Sequence, residues 1–248
     1  MRTRILIILL LAFSLEGMAQ TAFIRKAKIE FERKTNTHRL YFSGETDSWA
    51  EEFKKLIPQF RTDYFDLLID EGKSIYRPGR EVEQKSSGFF ESPAVTNTVY
   101  SDLASGASTS QKQVFETLFL LQDSLKKYTW KLEPETRTIA GFECRKAITR
   151  ICDSVVVVAF YSDEIVPSAG PESFNGLPGA ILGLAVPRLY TTWFATKVEV
   201  LSEKDEKTIL PPSKGKKADD KAMVATVDAA IKNWGDKYHD RSIWFITL

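Results

Sequence analysis

The segment Gly170-Pro171-Glu172-Ser173-Phe174-Asn175-Gly176-Leu177-Pro178-Gly179-Ala180-Ile181-Leu182 restricts the backbone more tightly than any other stretch of this chain. Three glycines and two prolines fall within ten residues. Pro178 fixes its own φ and pushes Leu177 toward an extended conformation. Pro178-Gly179 is the expected centre of a type II turn, because glycine accepts positive φ at the third position. Asn175-Gly176 is a second tight-turn signal. Phe174, Leu177 and Ile181 are then expected to pin this double bend to a core. At this level the segment sets shape: no residue in it is read as transferring a proton, attacking a carbonyl or holding a metal.

The flanking sequence is β-like. Ala27, Ile29 and Phe31 alternate with charged neighbours over residues 26–34, as a strand with one wet face requires. Residues 64–69 and 74–77, joined by Asp70-Glu71-Gly72-Lys73, read as a hairpin. Further strands are expected at 114–121, 128–132, 142–151, 155–161, 180–186 and 191–201. Residues 155–161 are apolar at both phases, which implies cover on both faces. The Ser-, Ala- and Gly-rich stretch 101–111 reads as a loop, 203–207 as a charged hairpin tip, and 211–217 as a linker.

Two helices are expected. One lies within 48–60, with Trp49, Phe53, Leu56 and Ile57 on one side and Pro58 ending it. The other starts at an Asp220 cap, carries Met223, Val224, Val227, Ile231 and Trp234 at helical spacing, and stops at Gly235. Residues 242–248 read as a last short strand. The fold class is mainly β (α+β): one large curved antiparallel sheet or half-open barrel with a few packed helices, in a single domain over residues 21–248.

The first twenty residues read as a secretory signal peptide. Arg2 and Arg4 precede an apolar run at 5–15, and Gly17-Met18-Ala19-Gln20 supplies small residues for cleavage. The run is short for a membrane span. The mature chain is therefore expected in the periplasm, possibly peripheral to the outer membrane. Cys144 and Cys152 would sit in an oxidising compartment, yet one strand and its following turn offer poor geometry for a bridge, and Cys144 reads as a buried small hydrophobe.

Charge and motif content exclude several functions. Basic and acidic residues number 34 and 33. Without Arg2, Arg4 and Glu16 they balance, whereas nucleic-acid binders carry a basic excess. His38 and His239 stand far apart, in no metal-ligand spacing. No Gly-x-Ser-x-Gly elbow, phosphate loop or dinucleotide fingerprint occurs. Asp163 and Glu164 could be placed as a glycosidase-like pair but read better as a solvated turn. Lys214-Lys217 reads as solvated linker, with acidic lipid head groups as an alternative contact. No catalytic, cofactor-binding or metal-binding residue is assigned, and no cofactor is expected.

Gly176-Leu177-Pro178-Gly179-Ala180-Ile181 resembles the signature of the GLPGLI family of exported Bacteroidetes proteins, with Ala180 where the family has leucine. Trp130, then Ile139-Ala140-Gly141-Phe142 and Cys144-Arg145-Lys146-Ala147, are similar to that family's flanking pattern. Phe160-Tyr161 and Ile165-Val166-Pro167 resemble its aromatic pair and its proline approach to Gly170-Pro171. The resemblance implies an exported protein without established enzymatic activity, often associated with TonB-dependent outer-membrane receptors. It supplies no catalytic residues. Gly176, Leu177, Pro178, Gly179 and Ile181 carry over only as a motif, structural or partner-docking.

The expectation is thus a non-enzymatic cell-envelope accessory protein that binds an outer-membrane receptor or assembly partner. The alternative is a periplasmic carrier of an apolar ligand, such as a lipid or lipoprotein acyl chain, with the 155–160 strand lining its cavity. That alternative rests on analogy with lipoprotein-carrier half-barrels. A hydrolase is the third class.

Overall fold

A computed structural model describes residues 23–45, 47–81, 94–233 and 235–248, with the side chains of 236 and 237 outside the description. The expected signal peptide and the Trp234 side chain therefore lie outside the described residues. The described residues form twelve strands: β1 (Lys26–Asn36), β2 (Phe60–Asp70), β3 (Lys73–Pro78), β4 (Thr98–Asp102), β5 (Ala107–Val114), β6 (Thr117–Ser124), β7 (Lys131–Ile139), β8 (Phe142–Ile151), β9 (Val155–Ser162), β10 (Ala180–Val186), β11 (Thr191–Val200) and β12 (Lys216–Ala218). The described helices are α1 (Thr37–Phe42), α2 (Ser48–Leu56), α3 (Glu203–Glu206), α4 (Asp220–Ile231) and α5 (Asp236–Thr247), with a 3-10 turn at Pro187–Leu189.

All twelve strands belong to one open sheet, ordered β12-β6-β5-β4-β3-β2-β1-β11-β10-β9-β8-β7. Two antiparallel meanders meet where β11 returns beside β1. Every pairing between these strands is antiparallel except β12 with β6, and an isolated parallel bridge joins Ile24 to Ile165. The sheet is mainly β with few helices, as its sequence pattern implies. It also curls: an atom placed as Cβ on Gly183 of β10 would lie 2.8 Å from Ile139 Cδ1 of the edge strand β7 and 3.0 Å from Phe194 of β11. With no side chain at 183, Ile139 and Phe194 pack directly over the β10 backbone.

Alternation in β1 works as expected, with Ala27, Ile29, Phe31 and Arg33 all buried. The inner face is filled by Phe31, Phe65, Tyr76, Phe174, Leu177, Ile181 and Trp193. Fully burying side chains of this size contributes ~1.5–3 kcal/mol each. β9 is buried along most of its length, as its doubly apolar pattern requires. Cys144 lies buried in β8, Cys152 lies exposed in the following turn, and both are free thiols. Burial pushes the Cys144 thiol up to about 12, so it behaves as a small hydrophobe.

Several elements differ from the sequence expectation. Residues 101–111 form most of the β4–β5 hairpin rather than a loop, because β5 turns Ser110 and Lys112 inward and its alternation is polar. The 114–121 strand is interrupted at Phe115-Glu116, where φ at Phe115 is 51°. The 128–132 strand begins only at Lys131 and runs on to Ile139. Residues 203–206 are helical, capped by the Ser202 side chain accepting from the Asp205 amide, and do not form a hairpin tip. Within the expected linker, Lys216 and Lys217 enter β12, which adds to β6 in parallel.

The C-terminal region is α4 followed by α5, so the expected strand at 242–248 is a helix. Asp219, not Asp220, caps α4, accepting from the Ala222 amide at 2.7 Å. Gly235 does not stop α4, which ends at Ile231; it stands with φ 83° immediately before α5. α2 ends at Leu56 ahead of Pro58, as expected. Among the described residues no helix is long and apolar enough to cross a membrane.

Candidate functional site

The Gly/Pro segment forms most of the connection between β9 and β10. It lies across the inner face: Phe174, Leu177, Ala180 and Ile181 are all buried. Trp130 Nε1 donates to the Asn175 carbonyl at 2.8 Å, and Tyr128 stacks on Phe174 with ring centroids 4.9 Å apart. The apolar anchors thus pin the bend as the sequence implies. Ala180 is fully enclosed.

The turn itself is of a different kind. Gly179 N–H donates to the Leu177 carbonyl, which closes a γ-turn around Pro178 rather than a type II turn. The Ala180 amide is thereby released to donate to Ile165, and Ile181 donates to Ala169. Gly179 takes φ 145°, and a Cβ there would sit 2.0 Å from the Ser162 carbonyl oxygen. Gly176 takes φ 89°, and its amide donates to Ser168 Oγ at 2.6 Å. Pro178 and Gly179 therefore lock the loop to the end of β9.

One residue of this segment does more than set shape. Glu172 is 2% exposed and adopts φ 54°. Its Oε2 accepts from Asn97 Nδ2 at 3.0 Å, while Oε1 has no hydrogen-bond partner. Burial raises its pKa, against the opposing influences of Arg33, Asn97, Lys112 and Tyr76. The segment therefore also holds a buried carboxyl, which its sequence does not announce. It was missed because a carboxylate beside proline and serine looks like an ordinary turn residue, and its partners come from distant strands.

Glu172 reaches into a polar centre on the inner face. Trp193 Nε1 donates to Tyr76 Oη at 3.1 Å. Tyr76 stacks on Phe65 at 4.9 Å, and the Arg33 guanidinium lies 4.9 Å from the Phe65 centroid. Arg33 donates to Asp63 at 2.8 Å, and Arg61 donates to the same carboxylate at 3.0 Å. Buried charges of this kind persist only when paired.

Beside it, Lys112 is buried and donates to the carbonyls of Ile246 and Leu248 at 2.9 and 3.2 Å. Burial first, and the Lys126 charge second, bring its pKa down to about 7. Ser173 Oγ donates to the same Leu248 carbonyl at 2.6 Å and lies 2.9 Å from Tyr128 Oη. A cleft of about 20 Å³ bounded by Ser110, Lys112, Lys126, Ser173 and Asp220 has room for a single water.

The remaining sequence candidates stay apart from this centre. Asp163 and Glu164 form a turn, with Asp163 in a solvated ion pair to Arg145 at 3.5 Å. His38 Nε2 contacts the Ile57 carbonyl at 3.0 Å, and His239 pairs with Asp228 at 2.7 Å. Among the described residues no cluster of three His, Cys, Asp or Glu side chains is arranged to hold a metal.

A second feature lies on the outside. Along α2, Trp49, Phe53 and Leu56 are 45%, 40% and 75% exposed, while Ala50 is the helix's buried residue. The apolar stripe seen in the sequence is real but faces outward. Trp49 makes edge contacts with Phe42 and Phe53 at 6.0 and 5.8 Å, so the aromatic ridge is ordered from beneath.

The chain matches no family model and no curated protein. Solved structures share its fold. PNGF-II in a C2 crystal form aligns with a TM-score of 0.51 at 13% identity, over 88% of this chain and 32% of that chain. A P21 form gives 0.52 at 12% identity, over 82% of this chain and 33% of that one. This chain therefore spans about a third of the length of PNGF-II. At such identities the likeness concerns the fold.

Proposed function

We propose that this chain is an exported, non-enzymatic accessory protein of the cell envelope that binds an outer-membrane partner of the TonB-dependent receptor type. The observation that carries the binding role is the exposed Trp49-Phe53-Leu56 ridge on α2. Contiguous exposed aromatic side chains on an ordered support mark interaction surfaces. The signature Gly176, Leu177, Pro178, Gly179 and Ile181 serves the fold in this reading, since its apolar side chains are spent on the core. The inner face is filled with aromatic and aliphatic side chains, which weighs against an acyl-chain carrier.

The reading is tested in the native host by crosslinking the exported protein in intact cells and identifying adducts by mass spectrometry. Recovery of a receptor-type outer-membrane protein, with the mature chain starting near Thr21, is expected. Retention in the cytoplasm, or a periplasmic protein with no outer-membrane adduct, would refute it.

A further inference from the structure

We propose that Asn175-Gly176 is a modification site: a deamidation point that the folded bend holds closed and that reacts when the bend opens. It is the one Asn-Gly pair in the chain. In such a pair the backbone nitrogen after the asparagine can attack the side-chain amide, and glycine has no Cβ to hinder the ring closure. The Gly176 nitrogen gives its proton to hydroxide or a buffer base and attacks Asn175 Cγ. The N–Cγ bond forms, the Cγ–Nδ2 bond breaks and ammonia leaves. Water then opens the cyclic imide to aspartate or isoaspartate, with no change of oxidation state.

The polar groups that this reaction must move are all held. The Gly176 amide donates to Ser168 Oγ at 2.6 Å, so its proton is engaged. Asn175 Nδ2 donates to the Ser173 carbonyl at 2.9 Å and to the Lys126 carbonyl at 3.3 Å, which fixes where Cγ lies. The Asn175 carbonyl accepts from Trp130 Nε1 at 2.8 Å, so the peptide between the two residues is held as well. Phe174 and Leu177 anchor the chain on either side, both buried. Burial is not what protects the pair, because Gly176 itself is exposed to water and base. The hold is geometric, and Ser168 is its catch. The product does not fit the same place. A carboxylate at 175 would set oxygen against the two carbonyls that now accept from Nδ2, and isoaspartate would lengthen the backbone at the bend by one carbon. Deamidation therefore turns a reversible opening of the bend into a permanent one.

The test incubates the full chain at mildly alkaline pH, folded or in urea, and counts aspartate and isoaspartate at 175 by peptide mapping with mass spectrometry. The folded parent should react roughly a hundredfold more slowly than the same chain in urea, because reaction waits on local opening. Ser168→Ala should raise the folded-state rate about fivefold, as loss of one hydrogen bond implies. Val227→Ala truncates the separate apolar cluster of α4 and should leave that rate within about twofold of the parent, which separates local release from general destabilisation. Trp130→Phe, which removes the donor to the Asn175 carbonyl, provides the same comparison if Ser168→Ala fails to fold. A folded parent that reacts as fast as the chain in urea would overturn the proposal. So would a Ser168→Ala rate equal to the parent's, or one matched by Val227→Ala.

Discussion

At the residue scale, Gly179 and Gly176 separate two reasons for a glycine. A Cβ at 179 would meet the Ser162 carbonyl oxygen at 2.0 Å, whereas one at 176 meets nothing closer than Trp130 at 3.6 Å. Gly179→Ala should therefore cost ~3 kcal/mol or more, through displaced backbone. Gly176→Ala should cost ~1 kcal/mol, the penalty of positive φ alone. Equal urea midpoints for the two variants would contradict this account of the bend. Glu172 makes a pH prediction. Its folded pKa lies above the ordinary 4.5, so the folded state binds the proton more tightly than the unfolded chain. That stabilisation is complete below about pH 4.5 and is lost as pH rises through the folded pKa. Glu172→Gln should flatten that decline in urea midpoints measured across the window; an unchanged slope would show that Glu172 is not its source. The bend was legible from Gly and Pro alone, but its γ-turn was not, because the deciding partner of the Ala180 amide is Ile165.

At the scale of elements, legibility followed the chemistry of the inward face. β1, β8 and β10 carry apolar inward residues and stand near their expected bounds. β5 presents Ser110 and Lys112 inward, and Lys112 is tolerated only because two carbonyls of the α5 end accept its protons. No local pattern announces such a strand. Residues 242–248 fit a strand in sequence as well as the helix they form, because Ile243, Trp244, Phe245 and Ile246 are a continuous apolar run. Edge protection is visible as well: β7 carries Pro134, a register shift between Leu132 and Thr136, and mostly exposed charged residues. Between α4 and α5, His239 bonds first to Asp228 and second to Asp240, which raises its pKa above 6.5. Its contribution is fully present below about pH 6.5 and disappears as pH rises through the folded pKa. His239→Gln should therefore lower Tm at pH 5.5 and leave it unchanged at pH 9; the same deficit at both would contradict the pairing. On α2, replacing Trp49, Phe53 and Leu56 together with glutamine should cost ~2–4 kcal/mol, because Trp49 and Phe53 are about half covered and rest on Phe42 and on each other. A larger loss in chemical denaturation would mean that the ridge belongs to the core.

At the scale of the molecule, strand content and the dominance of one curved sheet followed from alternation, but strand order did not. β1, β2 and β3 bring Arg33, Asp63 and Tyr76 together by successive pairing, the return of β11 beside β1 adds Trp193, and the segment after β9 adds Glu172 to Asn97. That is why a polar centre assembled from six separate places left no motif. The signature segment's apolar side chains are buried and the α2 ridge is exposed, so the binding role proposed above falls to the ridge. Crosslinking yield in intact cells tests that assignment most directly, comparing the Trp49, Phe53 and Leu56 triple glutamine variant with Gly176→Ala at equal folded abundance. The account predicts that the outer-membrane adduct falls at least tenfold in the ridge variant and persists in Gly176→Ala. An adduct retained by the ridge variant and lost with Gly176→Ala would contradict it.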